Sequence, residues 1–206
     1  MKSPLALLVV GLVAACANPI NQKTASNYYD AAVQAELAGN FALAEQNYGR
    51  ALINARLGHS LDAGISASMY GLGRMKGYLC KFSEAEPLLL ESLNLEESAT
   101  GPESAITTKR LFELARLYSD RGMYAQSLPY FARGIPAVQR LGVESSDPMA
   151  LADALDEYSV ALSKTGMHAE ADQAKSQATQ IRAKNPGKRA IYVPIRYGKK
   201  CGTGAA

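Results

Sequence analysis

The chain has 206 residues and a formal net charge of +3, with 48% hydrophobic and 20% charged residues. This composition excludes wholesale disorder, and the length allows one domain or two small ones. Alanine is the commonest residue, at 34, and there is no tryptophan, which favours packed helices over sheets. Two histidines and three cysteines are too few for a multi-histidine site or a zinc centre, so we expect no metal and no cofactor.

The first sixteen residues have the pattern of an export signal. Lys2 supplies a positive charge, and residues 5–13 form an apolar run that is too short to span a bilayer. Residues 13–16 read Val-Ala-Ala-Cys, which resembles the bacterial lipobox. The resemblance implies that residues 1–15 are a lipoprotein signal peptide and that the thiol and new amine of Cys16 are acylated. The alternative is an ordinary secretory signal that is cleaved near Ala17, with Cys16 incidental.

Further expectations about location follow from the same resemblance. The residue after the cysteine is Ala17 rather than the aspartate that retains lipoproteins in the inner membrane. This implies a lipid anchor in the bacterial outer membrane, with the protein facing the periplasm. Three acyl chains on one cysteine would hold the protein stably at a membrane. Residues 16–23 would then form a lipidated linker.

A repeated pattern occupies the region from residue 24 to residue 183. Four turn-like segments are followed by Ala44, Ala85, Ser127 and Ala171, at spacings of 41, 42 and 44 residues. Segments of helical periodicity flank each turn, so the pattern predicts four helix–turn–helix units.

These units resemble the tetratricopeptide repeat, and their longer spacing resembles the kinesin-light-chain subtype. The resemblance implies an all-α, right-handed helical-repeat solenoid, in which small residues stand where helices approach closely. The twelve matching positions hold Ala32, Gly73, Ala115, Ser159, Ala44, Ala85, Ser127, Ala171, Ala51, Ser92, Gly134 and Ala178.

In this family the first helix of each repeat lines a concave groove, which implies a peptide or protein ligand. The groove positions hold Tyr29, Tyr70, Arg74, Phe112, Arg116 and Asp156. Arg74 and Arg116 are predicted to hold an acidic group of the ligand together, because the guanidinium fork fits a carboxylate. The alternative is that they neutralise nearby acids such as Glu113, with the aromatic residues packed between helices. The family's clamp for a terminal carboxylate is absent, because Tyr29, Val33 and Gly71 stand at its positions.

The tail, residues 184–206, differs from the body in charge. It has six lysines or arginines and no acidic residue, whereas residues 16–183 carry 15 basic and all 19 acidic residues. Apolar residues alternate from Ile191 to Tyr197, which is typical of a strand, although Pro194 interrupts it. An extended basic tail could dock on the acidic body, remain disordered, or contact anionic lipid, lipopolysaccharide or glycan.

Cys80 and Cys201 are predicted to form a disulfide. They are the two thiols that remain once Cys16 is acylated, and export leads to an oxidising compartment. Alternatively, Cys80 is a buried small residue in place of a turn glycine, and Cys201 is free or pairs between molecules.

The sequence contains no phosphate-binding loop, nucleophile elbow or zinc motif. We therefore expect a non-enzymatic, lipid-anchored adaptor for a protein or peptide partner in envelope assembly or secretion, with no nucleic acid bound. The alternatives are a structural accessory that contacts lipopolysaccharide or cell wall through its tail and, less favoured, an enzyme.

The lipobox gives the first testable prediction. Cells supplied with a clickable fatty-acid analogue should label the wild-type protein, whereas Cys16→Ser should remain unlabelled because a hydroxyl cannot form the thioether. Cys201→Ser is the matched control and should be labelled like wild type. Equal labelling of Cys16→Ser would contradict the assignment.

Overall fold

The structure is a computed structural model that describes residues 18–198 and Cys201. The proposed signal peptide and Cys16 lie outside the described residues. Within the described part there are nine helices and no strand. The helices are α1 (Pro19–Leu37), α2 (Phe41–Leu57), α3 (Asp62–Tyr78), α4 (Phe82–Thr100), α5 (Ala105–Asp120), α6 (Tyr124–Arg140), α7 (Val143–Ser146), α8 (Pro148–Lys164) and α9 (His168–Lys184).

The long helices form four antiparallel pairs, which are the four predicted repeats: α1 with α2, α3 with α4, α5 with α6, and α8 with α9. Short α7 lies in the connection before the last pair. Helix α1 begins at Pro19, so residues 19–23 are helical rather than part of a linker. The cause is local, because Asn18 accepts hydrogen bonds from the first free amides and proline suits the first helical position.

The turn inside each repeat has the same geometry. Gly39, Gly122 and Gly166 have φ of 74°, 76° and 84°, and Cys80 has φ of 65° at the corresponding position of the second turn. In every turn the following amide donates to a carbonyl five residues earlier, as Lys81 N does to Lys76 O at 2.9 Å. This is the helix-ending motif in which a left-handed residue reverses the chain. Cys80 therefore stands in a glycine position, as the sequence indicated.

The twelve predicted small-residue positions are all buried. A Cβ on Gly73 would lie 2.8 Å from Leu89 Cγ, and one on Gly134 would lie 3.0 Å from the Phe112 ring. Larger side chains at these positions would separate the helices. The apolar side chains form three clusters that follow one another along the chain, as expected of a solenoid in which each repeat packs on its neighbours.

None of the helices in residues 18–198 combines the length and the apolar character needed to cross a bilayer.

Gly71 provides a test of this packing. A Cβ there would lie 2.4 Å from Tyr48 Cε1, and this ring is buried with its hydroxyl bonded to Glu36. We expect Gly71→Ala to lower the free energy of unfolding by about 2 kcal/mol, because overpacking of about 3 kcal/mol exceeds a helix-propensity gain of about 1 kcal/mol. Urea denaturation measures the change.

Gly64→Ala is the matched control in the same helix. The nearest atom to its new Cβ is 3.7 Å away, so this variant should gain up to about 1 kcal/mol from helix propensity. Equal destabilisation of both variants would contradict the packing.

Candidate functional site

The tail crosses α3, α5 and α8, the first helices of the last three repeats, which the family resemblance assigns to the groove. Its first contact is at the N-terminus of α8. The backbone amides of Ile191 and Tyr192 both donate to Asp147 Oδ2 at 3.0 Å. The Lys109 ammonium lies over the rings of both Tyr70 and Tyr192, 5.5 and 5.7 Å from their centroids. The tail is therefore docked on the body, which is one of the alternatives that the sequence left open.

Further along, Arg196 joins the tail to two helices. Its guanidinium pairs with Asp120 at the end of α5 and with Glu157 of α8, where Nη1 is 2.7 Å from Oε1. The backbone amide of Tyr197 also donates to Asp120 Oδ2, at 2.7 Å. The tail is extended here but forms no strand, because its amides bond to carboxylates instead of to a sheet edge.

Tyr197 is the deepest residue of the tail, with 2% of its surface exposed. Its ring lies against Gly77, where a Cβ would approach the ring to 2.7 Å. Its hydroxyl donates to Glu113, and the hydroxyl of Tyr70 donates to the same carboxylate at 2.7 Å. Burial, and then the charge of Glu113, raise the pKa of both phenols well above 10, so both remain protonated donors.

Glu113 is fully buried and is also paired with Arg74, whose Nε lies 3.3 Å from Oε2. Arg74 Nη2 is 2.8 Å from Glu36 Oε1, and Tyr48 donates to the other oxygen of Glu36 at 2.9 Å. A continuous polar network thus links α1, α3, α5 and the tail.

The two predicted groove arginines are both paired inside the chain. Arg74 is held by Glu36 and Glu113, whereas Arg116 Nε lies 2.7 Å from Glu157 Oε2. Only 11% and 6% of their side-chain surfaces are exposed. Both guanidinium groups thus have acidic partners inside the chain, as in the alternative that they neutralise nearby acids, and their joint binding of an acidic ligand group stays a prediction.

The remaining predicted groove residues divide into two groups. Tyr70 and Phe112 are buried, next to the tail. Tyr29 is half-buried and meets the Tyr48 ring edge-on at 5.5 Å. Asp156 pairs with Lys175 and Arg182 of α9 and lines a pocket beside the tail.

The carboxylates that hold the tail were not predicted as site residues. These are Glu113, Asp120, Asp147 and Glu157. A signal for them was present in the sequence, because Asp120 lies four residues after the groove position of Arg116 and so on the same helix face.

A cavity of about 420 Å³ adjoins the tail. Its walls include Phe112 of α5, Val138 of α6, Leu151 of α8 and Pro194 of the tail. The side chain of Thr108 also lines it, and the Thr108 hydroxyl is buried without a hydrogen-bond partner in the described part of the chain. Tyr192 and Pro194 of the tail form one wall of this cavity.

The tail ends in the predicted disulfide. Cys80 and Cys201 are bonded, with their Cα atoms 5.7 Å apart. The bond fastens the tail to the second turn, 121 residues earlier in the chain. Elsewhere in the described chain, no group of three or more His, Cys, Asp or Glu residues is arranged to hold a metal ion.

Comparison with solved structures supports the fold. BtubC (BKLC) from P. vanneervenii superposes with a TM-score of 0.72 at 21% identity, over 84% of this chain and 71% of that one. A putative kinesin light chain from Podosopora anserina with nearly identical TPR-like repeats superposes with a TM-score of 0.62 at 19% identity, over 80% of this chain and 77% of that one. No protein-family model and no curated protein matches the sequence. The described residues therefore have an all-helical, TPR-like repeat fold, as the repeats predicted.

The buried network yields a prediction for Glu113. In Glu113→Gln the amide keeps the shape but removes the charge that Arg74 and the two tyrosine hydroxyls share. We expect the free energy of unfolding to fall by about 2–3 kcal/mol. This is less than the usual loss for a broken buried ion pair, because Arg74 retains its ion pair with Glu36.

Urea denaturation under non-reducing conditions measures this change. The matched control is Glu91→Gln, which breaks the exposed pair with Arg56 and should alter stability by less than about 0.5 kcal/mol. Similar effects of the two variants would contradict a structural role for Glu113.

Proposed function

We propose that this protein is a non-enzymatic adaptor that binds a peptide or protein partner on its concave face. The observation that carries the proposal is that this face already holds an extended segment, namely the chain's own tail. Side chains of α5, of α8 and of the α8 cap Asp147 bind the tail through its amides, its arginine and its tyrosine. The surface therefore has the shape and the hydrogen-bonding groups that an extended peptide requires.

The proposed location is the periplasmic side of the bacterial outer membrane, through acylation of Cys16. Its support comes from the lipobox and from the Cys80–Cys201 disulfide, since disulfides persist in oxidising compartments such as the periplasm. Only Ala17 separates Cys16 from the helix cap Asn18. The anchor would therefore hold the first repeat within roughly 10 Å of the membrane surface.

A role for the basic tail in binding lipopolysaccharide or cell wall is less well supported. Arg196, a principal cation of the tail, is paired with Asp120 and Glu157. An anionic surface would have to compete with both carboxylates for it.

Photocrosslinking in intact cells tests the adaptor function. Benzoylphenylalanine at Val160, which is 50% exposed beside the tail, should capture a discrete protein adduct. The same residue at Ile53 of α2, which is 60% exposed, serves as the control for general proximity. Adducts that are absent at Val160, or identical at both positions, would contradict a partner-binding concave face.

A further inference from the structure

We propose that the partner peptide carries an arginine followed by a tyrosine and takes the place of the tail, which the Cys80–Cys201 disulfide retains until a dithiol reduces it. This proposal rests on the adaptor function above and specifies the chemistry of its partner.

The first argument is the charge of the surface that the tail covers. Asp120 and Glu157 pair with Arg196, and their side chains are only 7% and 13% exposed in the docked state. Glu157 also pairs with Arg116, whereas Arg196 is the cation that pairs with Asp120. A peptide that covered Asp120 without an arginine would leave its carboxylate desolvated and unpaired, which is strongly unfavourable. The site therefore selects a cationic peptide, whereas the sequence had suggested an acidic one.

The second argument is the slot for the next residue. Gly77 and Leu117 border the Tyr197 ring, and a Cβ on Gly77 would approach that ring to 2.7 Å. The flat ring reaches the fully buried carboxylate of Glu113, to which its hydroxyl donates. A phenylalanine would fill the slot but lose this bond, and an aliphatic residue would not reach Glu113. The slot thus fits tyrosine.

The third argument is that the tail competes from within the same molecule. It is tethered at one end to α9 and at the other to Cys80, so its effective concentration at the groove exceeds that of a free peptide. Breaking the disulfide removes the tether next to Tyr197 and leaves only the one at α9. The tail can then leave, and the groove becomes available together with the adjoining cavity.

The chemistry of release is a thiol–disulfide exchange. A dithiol of the thioredoxin type gives two electrons and two protons; the Cys80–Cys201 bond breaks, each sulfur takes a proton, and the dithiol closes into its own disulfide. Cys80 and Cys201 are both partly exposed at the edge of the groove, so a thiolate can attack the bond.

The test uses the full-length protein and a defined probe. The probe is a synthetic peptide of residues 189–198 with a fluorophore at its N-terminus, titrated by fluorescence anisotropy. Three forms are compared: oxidised wild type, wild type reduced with dithiothreitol, and Cys80→Gly. Glycine suits the positive φ of 65° at this position, so Cys80→Gly removes the bond without straining the turn.

We expect the reduced protein and Cys80→Gly to bind the probe at least tenfold more tightly than the oxidised protein. A fourth form combines Tyr197→Ala with Cys80→Gly, which weakens docking of the resident tail. It should bind the probe at least as tightly as Cys80→Gly alone. A control peptide with Arg196→Ala and Tyr197→Phe should bind at least tenfold more weakly than the probe to every form that binds.

Equal affinity of oxidised and reduced protein, equal affinity of probe and control peptide, or no binding to any form would each overturn the proposal. These failures differ from failure of the adaptor function. A partner that still crosslinks at Val160 while the probe does not bind would leave the adaptor role intact with a different ligand chemistry.

Discussion

The fully buried carboxylate of Glu113 connects α5 to α3 and to the tail. Removing a charged group from water is strongly unfavourable unless nearby donors replace the lost hydration. Here Tyr70 on α3 and Tyr197 of the tail donate the hydrogen bonds, and the guanidinium of Arg74 on α3 supplies the opposite charge. The position of α3 against α5 and the path of the tail are therefore linked through one side chain.

The tail is at once a ligand-like segment and a part of the core. Tyr197 belongs to the central apolar cluster, and Ile195 packs against two clusters. Helix α3 makes room for the ring through the absence of a side chain at Gly77. Without the tail, the groove would expose this apolar slot and the carboxylates that bind the tail. A partner would have to fill the slot and pair with those carboxylates.

The repeats could be predicted from the sequence because their determinants are local. Small residues at fixed intervals mark the helix contacts, and a glycine, or Cys80, marks each turn. The acidic partners of the groove arginines could not be predicted in this way. Arg74 and Arg116 pair with acids about one repeat away, such as Glu36 and Glu157, and choosing among such acids requires the packing of adjacent repeats.

The tail illustrates the same limit. Its alternating apolar residues suggested a strand, yet helices offer no row of free backbone groups with which a strand could pair. Its amides bond instead to Asp147 and Asp120. The repeat pattern placed the start of the first repeat at residue 24, whereas α1 begins at Pro19. The pattern does not include the helix cap Asn18 or the first-turn residue Pro19.

The Cys80–Cys201 disulfide determines which helices of the chain would bear a pulling force. The bond closes a covalent ring from Cys80 to Cys201, which contains α4 to α9, while α1 to α3 lie outside it. A force applied between the two ends of the chain would pass through the first three helices, cross the sulfur–sulfur bond and leave through the last residues. Six helices would carry no tension, so the first repeat and α3 would yield while the remainder of the solenoid stays folded.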